Sequence, residues 1–208
     1  MKYFKHFLIL FVFLFGFGAP SCEPPCECAL VEGEFFDIRE VTLANWKLDN
    51  ISGGVSANLL EEGESVNSDA YQLWANFEVD YVGLQLPPEN NFSFSLIPSA
   101  YACSCIENGE QGGKETLQDL QIITKNDFDA DHPANSSLND LMVINFGQDE
   151  ENLVDYLERA VREPFMFPSF FLTLKQGPSV PSNFEVTVAM TLDNGEFYEV
   201  DSEVVVMD

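Results

Sequence analysis

Two stretches of this chain alternate between apolar and polar residues, and this period of two restricts the fold more than any other feature. Leu73, Ala75, Phe77, Val79 and Tyr81 form one apolar set, and Phe184, Val186, Val188, Met190 and Leu192 form the other. Such alternation is typical of a strand with one face in the core and one toward solvent. We therefore expect antiparallel sheets, each with one covered face.

Shorter runs rich in aromatic and β-branched residues predict more strands. They lie at 35–48, 92–96, 117–124, 141–146, 167–174 and 197–206. Asn194-Gly195 separates the last strand from the one before it and predicts a type I′ hairpin turn, which needs positive φ at both central positions. The segment 51–69 is rich in Gly, Ser, Asn and Glu and predicts a long loop, and 127–139 is expected to be irregular.

One segment has helical periodicity. Its apolar residues are Leu153, Val154, Tyr156, Leu157, Ala160 and Val161. Asp149 is the expected N-cap, and Pro164 ends the helix. Many short strands with one short helix in a connection predict a mainly β protein. The expected fold is a single antiparallel β-sandwich over residues 32–208, immunoglobulin-like or a related Greek key.

The N-terminal residues fit a secretory signal peptide. Lys2 and Lys5 precede the apolar run 7–17, which is shorter than the roughly 20 residues of a spanning helix. Ala19-Pro20-Ser21-Cys22 then resembles a bacterial lipobox, which predicts removal of residues 1–21 and lipidation of Cys22. The alternative is an ordinary signal peptide cut near Ala19 or Ser21. No spanning helix is expected in the mature chain.

Four cysteines remain after lipidation, in two C-x-C pairs: Cys26 with Cys28, and Cys103 with Cys105. Residues two apart on a strand point to the same face, so antiparallel pairing of the two segments would join Cys26 to Cys105 and Cys28 to Cys103. Parallel pairing would swap these partners. A four-thiolate zinc site is the alternative, disfavoured by an oxidising envelope. Residues 22–31 are thus expected to form a lipid anchor and a disulfide-stapled segment.

Charge and histidine content exclude several functions. The chain has 35 acidic and nine basic residues, and removing the signal would leave seven basic residues, for a net charge of about −28. Nucleic acid is therefore not an expected partner. His6 leaves with the signal, so His132 is the one histidine of the mature chain. Clustered-histidine metal sites are excluded, and we expect no catalytic histidine.

Two sets of residues are candidates for binding. Asp127, Asp129 and Asp131 present oxygen ligands at alternate positions, which suits calcium, although the Gly and Glu of an EF-hand are missing. The alternative is a loop of Asx turns. Trp74 lies on the polar face of its strand and predicts an aromatic platform for a sugar or protein, with Trp46 as companion. The alternative is that the helix at 153–163 covers that face.

The central third of the chain carries a further pattern. It comprises Ala100-Tyr101-Ala102-Cys103-Ser104-Cys105, the segment 114–122 (KETLQDLQI) and the segment 126–140 (NDFDADHPANSSLND). This part resembles a family of uncharacterised exported lipoproteins of the Bacteroidetes that carry a domain of unknown function. The resemblance implies an outer-membrane address and brings no activity and no catalytic residues.

Taken together, these features predict a lipid-anchored protein of the outer membrane. We expect a β-sandwich held close to the membrane that binds or scaffolds a glycan or an envelope protein, with no cofactor unless calcium binds. One alternative is a glycan-active hydrolase that uses carboxylates, although abundant acids make any nominated pair uninformative. The other is a structural accessory subunit of an envelope complex.

Overall fold

The computed structural model describes residues 32–51, 54–83, 107–146, 150–160 and 163–208, which all belong to one compact unit. The described strands are β1 (Phe35–Ile51), β2 (Gly54–Leu59), β3 (Ser65–Val66), β4 (Tyr71–Val82), β5 (Leu117–Thr124), β6 (Met142–Asn145), β7 (Glu150–Asn152), β8 (Ser169–Leu174), β9 (Ser182–Phe184), β10 (Val186–Leu192), β11 (Phe197–Asp201) and β12 (Val205–Met207). The α-helix of the described part is α1 (Leu153–Ala160). The five cysteines and the expected strand at 92–96 lie outside the described residues.

The strands form three sheets. The large sheet has the order β2-β1-β4-β8-β6-β7, and the two small sheets have the orders β11-β10-β5 and β3-β12-β9. All described strand pairs are antiparallel except β3 with β12, which is parallel. The prediction of a mainly antiparallel β-sandwich with one short helix is confirmed.

The core lies between the large sheet and the small ones, as the alternation predicted. Leu73, Ala75 and Phe77 of β4 are buried, and so are Val186, Val188, Met190 and Leu192 of β10. Their side chains belong to one continuous hydrophobic core. The Tyr198 hydroxyl on β11 donates a 2.7 Å hydrogen bond to the carbonyl oxygen of Ile38 on β1, which ties a small sheet to the large one.

Helix α1 covers one end of this core. Leu153, Tyr156 and Ala160 are its buried residues, and it packs against β5, β6 and β7. The spacing of these apolar residues places them on one side of the helix, as expected. The expected cap Asp149 and Val161 lie outside the described residues. In the part of the chain that the structure describes, no helix is long and apolar enough to cross a membrane.

The predicted loop at 51–69 was wrong. This segment contains β2, which forms an antiparallel hairpin with β1, and β3, which pairs with β12. Neither strand has a strong apolar pattern, because β2 is almost wholly exposed and β3 has two residues. Pairing with a neighbouring strand, rather than intrinsic propensity, sets their conformation.

The prediction that Asn194-Gly195 forms a type I′ turn was also wrong. Gly195 has φ of 89°, but Asn135 is the one described non-glycine residue with positive φ, so Asn194 does not meet the requirement. The Gly195 N–H donates to the Leu192 carbonyl at 3.0 Å, and the Leu192 N–H donates to the Glu196 carbonyl at 2.9 Å. This is a three-residue hairpin loop with glycine in the left-handed position.

One strand boundary and one additional strand also differ from expectation. Strand β8 begins at Ser169 instead of 167, and Phe167 is exposed. Strand β7 was not predicted, because three residues without an apolar side chain give no periodic signal.

Candidate functional site

The outward face of the large sheet brings together the two tryptophans that the sequence singled out. The ring centroids of Trp46 and Trp74 lie 6.3 Å apart at an interplanar angle of 75°, an edge-to-face contact. Phe171 stacks on the other side of Trp74, with centroids 6.2 Å apart and planes inclined by 19°. We call Trp46, Trp74 and Phe171 the aromatic row.

Strand register places these rings on one face. Trp74 of β4 lies opposite Phe171 of β8, and Trp46 of β1 lies opposite Leu59 of the edge strand β2. Residues directly opposite each other in a sheet share a face, so the apolar surface runs from β8 across to β2. The neighbours of Trp74, Leu73 and Ala75, are fully buried on the other face.

Phe171 was missed by sequence reasoning. It follows Phe170, and two adjacent aromatic residues do not indicate which one faces the core. The structure buries Phe170 and turns Phe171 outward, where it is half-buried. The signal that identifies it is its pairing with Trp74, which only the assembled sheet provides.

The indole N–H groups are a further feature of the aromatic row. Trp46 Nε1 and Trp74 Nε1 are both buried, and neither has a hydrogen-bond acceptor in the described part of the chain. A buried donor that finds no acceptor at all costs about 1–3 kcal/mol.

The expected alternative for Trp74 was that the helix covers it. Helix α1 instead packs against β5, β6 and β7, and its Tyr156 ring lies 5.3 Å from that of Phe146. Among the described residues, the rings in contact with Trp74 are those of Trp46 and Phe171. The aromatic row is therefore a feature of the sheet surface and not part of the interface with the helix.

The three loop aspartates are not brought together as a metal site. The Asp127 carboxylate accepts a 2.8 Å bond from the Ala134 N–H, and Asp129 Oδ1 accepts from the N–H groups of Asp131 and His132 at 2.9 and 2.8 Å. These bonds fit the alternative of Asx turns that fix the loop. Calcium binding by Asp127, Asp129 and Asp131 stays a prediction.

His132 crosslinks this loop through both ring nitrogens. Nδ1 lies 2.8 Å from Asp129 Oδ1, and Nε2 lies 3.2 Å from both carboxylate oxygens of Asp140. The bond to Asp129 raises the pKa of His132, burial opposes this, and Asp140 raises it further. Because both nitrogens face carboxylates, these contacts favour the charged form of the ring.

A different acidic group joins a residue of β1 to residues just before β5 and β11. Asp37, Glu115 and Glu196 place one carboxylate oxygen each within 4.8 Å of the others. Lys114 Nζ lies 2.9 Å from Glu115 Oε1 and 3.6 Å from Asp37 Oδ2, so an ammonium already neutralises part of this charge. No sequence signal predicts this group, because its members are distant along the chain.

A small cleft lies beside α1. Its volume is about 210 Å³, and it is lined by Ile144, Phe146, Glu151, Tyr156, Arg159, Glu163, Pro164, Met166 and Phe167. The Arg159 guanidinium lies 2.7 Å from Glu151 Oε2 and 3.4 Å from Glu163 Oε2, and it sits over the Tyr156 ring. Burial raises the pKa of Tyr156 to about 12. The Arg159 guanidinium thus pairs with both carboxylates of the cleft. The volume of the cleft is below the roughly 300 Å³ or more of typical ligand pockets.

Comparison with known proteins adds no relative. No protein-family model matches the chain, and neither a curated protein nor a solved structure shows significant similarity to it.

Proposed function

We propose that this protein is a lipid-anchored binding or scaffolding module of the outer membrane, which holds an envelope component on the aromatic row of its large sheet. The observation that carries the proposal is the contact of Trp46 with Trp74 and Phe171 on a face that α1 does not cover. The lipobox at Cys22 and the resemblance to exported lipoproteins support the address.

The chemistry of the row supports binding. Tryptophan and phenylalanine bury a large area with few rotatable bonds, and they dominate the energetics of many interfaces. The two indole N–H groups have no acceptor among the described residues but are buried, so a partner with hydroxyl or carbonyl groups would accept from them only after the rings move. The net charge of −26 for the whole chain disfavours polyanionic partners such as nucleic acid.

Hydrolysis by a carboxylate pair is the second candidate, and the cleft beside α1 is the place that favours it. Glu151 and Glu163 both lie there, at the two ends of the Arg159 guanidinium. A retaining or inverting glycosidase needs one protonated acid and one free carboxylate across the scissile bond.

Tryptophan fluorescence tests the proposal, because Trp46 and Trp74 are the only tryptophans of the chain. Emission is recorded while purified protein is titrated separately with peptidoglycan fragments, envelope polysaccharide and solubilised outer-membrane protein. We expect one class to shift the emission. Trp74→Ala should weaken its binding at least about tenfold, which corresponds to roughly 1.4 kcal/mol.

The matched control is Phe197→Ala. Phe197 is an exposed aromatic residue on β11, in a different sheet. This variant should bind as the unsubstituted protein does. A ligand whose affinity, measured calorimetrically, is unchanged in Trp46→Ala and Trp74→Ala would contradict the proposal, and so would turnover of a glycan that Glu151→Gln abolishes.

A further inference from the structure

Strand β2 is an open edge of the large sheet. It is the terminal strand of the sheet, and in the described part of the chain it pairs with β1 alone. Its residues are exposed or half-buried, and Val55 and Leu59 are 62% and 60% exposed. An edge strand presents a row of unpaired backbone N–H and C=O groups that can accept another strand.

The register shows which backbone N–H and C=O groups of β2 do not bond to β1. The Leu60 N–H donates to the Asn45 carbonyl at 2.9 Å, so positions 45 and 60 form a hydrogen-bonded pair. Hydrogen-bonded and non-hydrogen-bonded pairs alternate in an antiparallel ladder, so Gly54, Ser56 and Asn58 bond to β1. The backbone groups of Val55, Ala57 and Leu59 therefore point away from β1.

This edge lacks the features that usually block strand addition. Its sequence, Gly54 to Leu59, contains no charged residue and no proline, whereas charged side chains, proline and bulges protect most natural edges. The edge strand β11, for comparison, carries Glu199 and Asp201. The side chains of Val55, Ala57 and Leu59 share the face of the aromatic row, since Leu59 lies opposite Trp46.

Acidic residues beside β2 indicate the charge of the partner. Glu61, Glu62 and Glu64 follow the end of β2 and are exposed, and within the described ranges none of them forms an ion pair with Lys, Arg or His. A second copy of this chain would bring a further net charge of −26 to the same edge, which opposes self-association. A basic partner would instead be attracted by these carboxylates and by the negative net charge.

We infer that β2 is a strand-addition site for an extended segment of another protein, with apolar side chains at alternate positions and Lys or Arg at one end. Its backbone pairs with Val55, Ala57 and Leu59, its apolar side chains extend the surface of the aromatic row, and its basic end lies beside Glu61, Glu62 and Glu64. The inference rests on the proposed binding function and assigns the partner class for the same face of the sheet.

The probe is a synthetic blocked peptide in which Val alternates with Thr and two Lys residues close one end. Amide hydrogen exchange is followed by NMR at saturating peptide. We expect exchange at Val55, Ala57 and Leu59 to slow at least about tenfold, while Ser56 and Asn58, already bonded to β1, stay unchanged. A peptide with Glu in place of both Lys should bind at least about tenfold more weakly.

Ala57→Pro is the decisive variant, and Ala57→Ser is its control. Proline removes the outward N–H of Ala57 without removing a bond to β1, so the hairpin stays paired. We expect Ala57→Pro to lose peptide binding and Ala57→Ser to keep it. Unchanged exchange at Val55, Ala57 and Leu59 with the Lys peptide, or equal binding by Ala57→Pro, would overturn the inference, and so would dimerisation of the free protein through β2 in sedimentation equilibrium.

The two proposals fail separately. If the peptide leaves β2 unprotected while an envelope polysaccharide still shifts the tryptophan emission, strand addition is wrong and the binding function of the aromatic row stands. If neither the peptide nor any envelope fraction acts on β2 or on the tryptophans, both are wrong.

Discussion

The Tyr71 hydroxyl donates a 2.7 Å hydrogen bond to Oδ1 of Asn45 in the interior of the sandwich. Tyr71 and Asn45 are 1% and 3% exposed. Asn45 Nδ2 in turn donates a 2.8 Å hydrogen bond to the carbonyl oxygen of Glu203. Burial raises the pKa of Tyr71, which keeps the hydroxyl protonated and able to donate. This chain of bonds ties β1 and β4 to the segment between β11 and β12.

Tyr71→Phe should therefore destabilise the protein. The substitution keeps the ring, which packs 5.4 Å from that of Phe184, but leaves Asn45 Oδ1 buried without a donor. We expect a loss of about 1–3 kcal/mol in the free energy of unfolding by urea. Tyr81→Phe is the control, because the Tyr81 hydroxyl makes no hydrogen bond in the described part of the chain, and its loss should be small. Equal effects of the two variants would contradict the role of the Asn45 bond.

The contacts of His132 predict a dependence of stability on pH. Its pKa is raised in the folded state, mainly by the bond to Asp129, so the charged ring stabilises the fold. That contribution is complete below the unfolded pKa of about 6.5 and is lost as pH rises through the raised folded pKa. As the pH rises from neutral to mildly alkaline, the urea midpoint of the unsubstituted protein should therefore fall more than that of His132→Gln.

Asp129 predicts the opposite pH dependence of stability, with a loss of stability at low pH. Burial opposes its ionisation, but hydrogen bonds from the His132 ring and from the backbone N–H groups of His132 and Asp131 outweigh this and lower its pKa. Its contribution is present above the unfolded pKa of about 3.9 and is lost as pH falls through the lower folded value. A midpoint difference between the protein and His132→Gln that does not change with pH would argue against this crosslink.

Gly112 is predicted to tolerate no side chain. It has φ of 85°, and a Cβ atom there would lie 2.6 Å from the Phe165 carbonyl oxygen. That oxygen already accepts a 2.7 Å bond from the Gly113 N–H, so it cannot move away without losing the bond. Gly195 is the matched control, because its φ is 89° but its Cβ would meet nothing within 4 Å.

Gly195→Ala should lose about 1–2 kcal/mol in urea unfolding, the cost of the left-handed conformation alone. Gly112→Ala should lose clearly more, because it adds the contact with Phe165. Similar losses in the two variants would show that the carbonyl has room to move.

Lipidation of Cys22 is tested by detergent partition. Cys22→Ala should move the protein from the detergent phase to the aqueous phase, because acyl chains contribute about 0.8 kcal/mol per buried methylene to membrane binding. Cys26→Ser should stay in the detergent phase. Intact mass that shows an unmodified chain beginning at another residue would refute the anchor.

The two C-x-C pairs predict crosslinked peptides under non-reducing conditions. Antiparallel pairing joins Cys26 to Cys105 and Cys28 to Cys103, and the first bridge is worth roughly 4 kcal/mol in the chain-entropy model. Such a staple would leave residues 22–25 as a leash of at most about 14 Å between lipid and domain. Free thiols at all four positions, or stoichiometric zinc, would remove both the bridges and the short leash.

The sequence by itself determined the strands that have one buried face. The alternating residues of β4 and β10 indicated their conformation and their inward side, because a period of two leaves no other way to bury every apolar residue. Helix α1 was likewise visible in its spacing. Trp74 was recognisable as a candidate, with Trp46 as its companion, because a large aromatic residue on a polar face conflicts with the pattern.

Only the tertiary structure decided what depends on strand pairing. Strand β2 has an exposed sequence with little periodic signal, and its pairing with β1 makes it a strand and an edge. The contact of Trp74 with Phe171 joins residues 97 positions apart and follows from the register of β4 with β8. Local sequence carries propensity and period, whereas register is a property of two segments that meet only in the folded chain.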